Sequence, residues 1–323
     1  DVLESFSSYR ERRNESRQIF KNRYHKLTKA IESLSLKDSK EVDAKRENGN
    51  VDGDTAMGTM LQYGSTLAKE FAKSYLLSSR FAEAHDSGQI HIHDMDFLPM
   101  GTTTCCQIDL HELFKDGFST GHGHLRTPND IMSYSALAAI AIQSNQNDQH
   151  GGQSIPAFDY FLAPGVLKTF KKQFKQLLYD YFDLNGFLQF MDFDKIVEQI
   201  SKEKSITLDI NEYSHNWEKD DDDADSSQMV KKIFEMSYKK ALEKTERITF
   251  QAMEAFVHNL NTMHSRAGAQ VPFSSINFGT DISPEGRLVI KGYLYAADAG
   301  LGHGETPIFP ISIFKVKEGV NYN

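Results

Sequence analysis

Two adjacent thiols, Cys105 and Cys106, are the only cysteines in this chain of 323 residues, and they sit in Gly-Thr-Thr-Thr-Cys-Cys-Gln-Ile-Asp-Leu, residues 101–110. Consecutive Cα atoms lie about 3.8 Å apart, short of the span an ordinary disulfide needs, so the pair is poorly placed to staple a fold. It is either a small apolar step in a strand or a thiol kept for chemistry. In an extended segment the two side chains would point to opposite faces. Upstream, His91 and His93 alternate with isoleucines and run into Asp94 and Asp96. Imidazoles beside carboxylates can move protons or begin a metal site, but no third ligand follows at suitable spacing, and no metal is assigned. A third polar group, Asn259, Asn261, Ser265, Arg266 and Gln270, precedes Ser274, Ser275 and Asn277. The rigid donor fork of Arg266 suits a phosphate or carboxylate, and the serines and Asn277 suit hydroxyls or phosphate at a strand end. A structural network at a helix-to-strand turn would use the same residues.

These residues need elements to hold them. The pattern predicts a helix from Thr55 to about His85, a strand at Ile90–His93, and a strand or loop carrying the cysteine pair. A long apolar helix is expected over 129–144, capped by Asn129 or Asp130, followed by the polar stretch 145–152. There Gly151 and Gly152 would let the backbone approach a neighbour closely. Residues 165–250 read as mostly helical, broken by the acidic run Glu218 to Asp225, which is most simply a solvated loop. Helix 240–264, a strand within 270–279, a helix at 285–298 and a strand at 308–314 complete an α/β pattern with Gly-rich turns.

The net charge of −9 argues against a non-specific nucleic-acid binder, though helix N-termini and single Arg or Lys residues can still take a nucleotide phosphate. Two cysteines are too few for a secreted disulfide framework, and no apolar stretch approaches membrane-spanning length, so the expectation is a cytoplasmic protein. No Gly-rich loop ends in Lys-Ser or Lys-Thr, which disfavours a nucleotide-hydrolase phosphate loop.

Four segments resemble the anaerobic glycyl-radical ribonucleoside-triphosphate reductases: Gly88–Phe97 running into Thr104–Leu110, His150–Ser154 leading to Ala163-Pro164, Asn259–Ser274, and Gly300–Pro310. The likeness covers nearly the whole chain in the right order. It implies an α/β fold, the first half of a ten-stranded α/β barrel with long flanking helices. Residues 55–323 would form that half-barrel, and residues 1–54 a helical segment and linker after an ATP-binding cone. It also implies reduction of ribonucleoside triphosphates to 2'-deoxyribonucleoside triphosphates by thiyl and glycyl radical chemistry, with formate as reductant and ATP or deoxynucleotide effectors. The radical-bearing glycine, a finger-loop cysteine and a structural zinc site would belong to a C-terminal part outside this sequence. The chain would then be an incomplete fragment, inactive alone. Implied partners are a second copy of the chain and a radical S-adenosylmethionine activase with an iron–sulfur cluster, with no nucleic acid and no membrane.

By the same resemblance, Cys105, three residues before Ile-Asp-Leu, is the thiol facing the ribose, while Cys106 points into the packing. His93 would lie near the sugar and formate. Asn261, Arg266, Gln270, Ser274, Ser275 and Asn277 would contact substrate. Gln149, His150, Gly151, Gly152 and Gln153 would lie near a dimer face that binds effector. Another glycyl-radical enzyme, an acyltransferase or lyase, and a non-catalytic nucleotide-binding or assembly module are the alternatives.

Overall fold

The computed structural model describes residues 25–32, 55–214, 224–266 and 269–322, with scattered helical positions between 11 and 22. Most of residues 1–54, the acidic residues 218–223 and Gly268 lie outside the described residues. The chain divides into two compact units. One comprises residues 1–105, 146–151 and 264–271; the other comprises 106–145, 152–263 and 272–323.

In the first unit, α1 (Ala56–Phe71) begins where the Thr55 hydroxyl accepts from Gly58 N at 3.0 Å, satisfying one of the free N–H groups of the first turn. A π-helical turn at Ala72–Leu76 and α2 (Ser79–Asp86) follow. The expected strand at Ile90–His93 is not formed. Ile90 lies in a bend, His91 and Ile92 are in no regular element, and His93 opens a turn in which Asp94 takes a left-handed φ of 47°. The Asp96 carboxylate is fixed by the Ser65 hydroxyl at 2.6 Å, and Met95 beside it is buried.

The second unit is an α/β layer. Its sheet has four parallel strands in the order β1 (Cys106–Gln107), β4 (Gln153–Ile155), β5 (Ser274–Phe278) and β6 (Ile311–Phe314). A separate two-stranded hairpin pairs β2 (Phe118–Ser119) with β3 (His124–Leu125). The register sets Cys106 opposite Gln153 and Gln153 opposite Ser274, while Ser154 lies opposite Ser275 and Ser275 opposite Ile311. Period-two alternation therefore sorts the sheet into two faces. Gln153, Ile155, Ser274, Ile276 and Phe278 are buried on one; Gln107, Ser154, Ser275 and Asn277 share the other. Strand β6 is exposed at all four residues.

Helices cover the buried face. Between β1 and β2 runs α3 (Leu110–Asp116), capped by the Asp109 carboxylate. Asp130 Oδ1 accepts from Ser133 N at 2.9 Å at the start of α4 (Ile131–Asn145), and the buried Thr169 hydroxyl accepts from Ile131 N at 2.8 Å. Thr169 lies on α5 (Phe158–Leu184), where Gly165 is required: a Cβ there would come within 2.9 Å of the Tyr134 ring of α4. The short helices α6 (Phe193–Lys202) and α7 (Ile210–Ser214) and the 39-residue α8 (Ala224–Thr262) surround an aromatic core of Phe170, Phe174, Phe182, Tyr213 and Phe234. Ser283 caps α9 (Pro284–Ala299), and the Phe278 ring of β5 meets Tyr293 of that helix at 5.6 Å. Asp159, buried at the start of α5, accepts from Gly279 N at 2.8 Å and Asp281 N at 3.1 Å, fixing the turn after β5.

Among the described residues no helix is long and apolar enough to cross a membrane.

Candidate functional site

The first unit gathers its chemistry in loops. Ile92 N donates to His85 Nδ1 at 3.1 Å, which anchors the segment entering the His93 turn. The Asp94 carboxylate lies 3.1 Å from His93 Nε2 and 3.9 Å from His150 Nε2. Asp94 has a left-handed backbone, a conformation that aspartate tolerates better than most non-glycine residues. His93 is exposed, whereas His150 is gripped on several sides. Its Nδ1 is 2.6 Å from Thr102 Oγ1, its ring stacks on Phe97 at 4.7 Å, and its backbone N donates to Thr103 O at 3.0 Å. Among the described residues no group of three His, Cys, Asp or Glu side chains is placed to hold a metal ion.

Both cysteines are free thiols. Cys105 is exposed, with Thr104 Oγ1 3.7 Å from its sulfur. Gly151 lies against it. A Cβ at position 151 would come within 3.2 Å of Cys105 Sγ, and the φ of 118° there also favours glycine. In the second unit Cys106 N donates to Gly152 O at 3.1 Å as part of the β1–β4 ladder. The half-buried Cys106 Sγ accepts from Asn145 Nδ2 at 3.1 Å, and the same amide donates to Gln153 Oε1 at 2.8 Å.

Arg266 has no anionic partner among the described residues. Its Nε donates to Gln146 O at 2.9 Å, Nη2 donates to the carbonyls of Gln146 and Gln149, and Nη1 donates to Gln270 Oε1 at 3.1 Å. Burial among these neutral acceptors lowers its pKa from the usual arginine value.

Several residues expected to contact substrate are engaged in bonds within the protein. Ser274 is buried, donates to Pro272 O at 3.1 Å, and lies on the face opposite Ser275 and Asn277. A period of two cannot send three such residues to one side. Asn261 is a clamp: its Oδ1 accepts from Ile308 N at 2.8 Å and Phe309 N at 3.0 Å, and its Nδ2 donates to Val257 O and Phe309 O. Gln270 is buried beneath Arg266. On the half-buried face of the second unit, Ser154 Oγ donates to Asn277 Oδ1 at 3.0 Å, with Ser275 in register between the strands.

The residues grouped by sequence as Gln149–Gln153 also separate. Gln149, His150 and Gly151 belong to the Asp94–Cys105 loop cluster, whereas Gln153 is buried in the sheet core, donating to Ile142 O at 2.9 Å.

A family model described as anaerobic ribonucleoside-triphosphate reductase matches residues 47–323. The chain belongs to this family. Among curated relatives it is 27% identical over 325 residues to an anaerobic ribonucleoside-triphosphate reductase of Haemophilus influenzae, an alignment covering 100% of this chain and 38% of that protein. It is 29% identical over 297 residues to the enzyme of the same name from Enterobacteria phage T4, covering 91% of this chain and 40% of the phage protein. The Salmonella typhimurium protein of that name is 26% identical over 85% of this chain and 32% of its own length. The chain thus spans about two fifths or less of the length of these relatives.

For this reductase-family chain, sequence reading missed four contributors: Phe97, Thr102, Asn145 and Gln146. Thr102 and Gln146 sit in polar runs where one residue looks like the next. Only the fold tells which of them meets His150 or Arg266.

Proposed function

We propose that this chain is the N-terminal half of the catalytic region of an anaerobic ribonucleoside-triphosphate reductase, with its parallel sheet as part of a ten-stranded barrel. The observation that carries the reading is the different setting of two neighbouring thiols within a family match that covers most of the chain: Cys105 is open, and Cys106 is tied to Asn145. The glycyl radical of such an enzyme, borne on a part of the protein outside this sequence and installed by a radical S-adenosylmethionine activase, supplies the hydrogen-abstracting power. This chain's residues then orient the ribose and supply hydrogen. The 2'-hydroxyl takes a proton and leaves as water, and Cys105 gives a hydrogen atom to C2'. Formate, oxidised to carbon dioxide, supplies the two reducing equivalents that restore the thiol and complete the reduction. The exposed Cys105 sulfur beside side-chain-free Gly151 fits that task. Ser275 and Asn277, on the half-buried sheet face, bind ribose hydroxyls or phosphate.

His93 moves a proton or holds formate. Asp94 already faces its Nε2, so a formate carboxylate would take Nδ1. Gln149 and His150 serve this loop cluster better than an effector site, because their backbone and ring contacts are already directed at Arg266, Thr102 and Phe97.

The test is anaerobic turnover in the complete enzyme with its activase. Cys105→Ala is expected to abolish deoxynucleotide formation while radical content persists, and Cys106→Ala to lower stability with turnover retained. Full turnover by the Cys105 variant would rule out this role.

A further inference from the structure

The carbonyls beneath Arg266 support an inference that goes further. A guanidinium carries five N–H groups. Here one on Nε and one on Nη1 are taken by Gln146 O and Gln270 Oε1, and Nη2 serves Gln146 O and Gln149 O. Drawing a cation partly out of water onto neutral acceptors is costly, and what it yields is geometry: three oxygens held around one planar fork. The segment held is 146–151. Its first residue is fixed further, since Ser265 Oγ donates to Gln146 Oε1 and Gln146 Nε2 donates to Val271 O at 3.2 Å. Its later residues lead to the thiol. Gln149 Nε2 donates to Gly151 O at 3.0 Å, His150 N donates to Thr103 O at 3.0 Å, and Gly151 abuts Cys105 Sγ.

We propose that Arg266 is a positioning residue for Cys105: by holding the Gln146 and Gln149 carbonyls it sets where Gly151 lies against the thiol. It is then not a ligand for substrate phosphate. That Cys105 does chemistry rests on the reductase reading, but the coupling of Arg266 to Cys105 does not. A lysine presents a single ammonium and cannot reach three oxygens with the geometry of a planar fork.

The experiment measures anaerobic iodoacetamide alkylation of the complete enzyme in a Cys106→Ala background, read by mass spectrometry on the peptide that carries Cys105. Thiol reactivity follows access and thiolate fraction, so the rate and its pH profile report the Cys105 setting. Arg266→Gln and Arg266→Lys are both expected to alkylate about tenfold faster, which corresponds to ~1.4 kcal/mol. Gly151→Ala, which presses on the sulfur and on Thr104, is expected to shift the same rate. Asn261→Ala, which loosens the Ile308–Phe309 clamp in the other unit, is expected to lower the melting temperature and leave the rate at the parent value.

An unchanged rate in folded Arg266→Gln overturns the proposal, and so does a parental rate in Arg266→Lys. If neither Arg266 variant folds, an unchanged rate in Gly151→Ala overturns it. Retained turnover in Cys105→Ala would instead overturn the reductase role and leave the labelling result standing.

Discussion

The aromatic core of the second unit and the loop cluster of the first are held by different physics. Around Phe170, Phe174, Phe182, Tyr213 and Phe234, order comes from many undirected apolar contacts among α5, α6, α7 and α8. Around His150, order comes from a few directed contacts: one hydroxyl, one stacked ring and one backbone bond. Apolar packing tolerates small shifts and fails by losing volume. A directed network fails by losing one partner, and then the loop moves while the core stays folded. Groups that must meet a reactant suit the second kind of support, because each hydrogen bond fixes a direction as well as a distance.

The sharpest way to break this contrast is in the core. Phe174→Ala, at a fully buried position, is expected to cost about 3–5 kcal/mol in denaturant unfolding. A loss under 1 kcal/mol, on the order of a surface substitution, would mean the helices do not depend on that packing.

Tyr213 adds a charge-related test of the same core. Burial raises its pKa, and the hydrogen bond to Glu203 at 2.5 Å raises it further. The folded protein then keeps a phenol proton that the unfolded chain releases above about pH 10. Stability from this group is full below that pH and falls as pH rises beyond it. Alkaline unfolding should therefore be less steep in Tyr213→Phe than in the parent, and equal slopes would show the phenol is not shielded.

A smaller effect is expected in the loop cluster. Thr102→Val removes the partner of His150 Nδ1 and should cost about 1 kcal/mol. Hydrogen exchange should speed up at His150 and Gly151 and stay slow in α5 and α8. Uniform acceleration would erase the distinction between the two regions. The smallest effect belongs to the exposed Lys291–Glu246 pair, where Lys291→Ala should change stability by less than about 1 kcal/mol, with the difference shrinking further in high salt.

Much of the core was legible in the sequence, and little of the loop cluster was. The apolar spacing of α4, α8 and α9 marks helices at once, and Ser274–Phe278 and Ile311–Phe314 stand out as short strand candidates flanked by Gly-rich turns. Strand β4 escaped notice because three residues are too few to show a period. The alternating Ile90–His93 misled for the opposite reason, since its pattern fits a strand although no partner strand pairs with it among the described residues. At the site, residue types pointed to Cys105, His93 and Arg266 as notable. The partners could not be read, because the Arg266–Gln149 contact joins residues 117 apart in the chain. An arginine suited to phosphate looks the same in sequence as one suited to carbonyls.

Strand β6 has a practical consequence for anyone working with this polypeptide by itself. Ile311, Ile313 and Phe314 are open to solvent, and no strand beyond them is paired among the described residues. Such an edge offers backbone hydrogen bonds and apolar side chains to any other extended chain it meets. Shelf life at high concentration would then be governed by this short strand rather than by the large aromatic interior. Conditions that preserve the fold would not by themselves keep the sample monomeric.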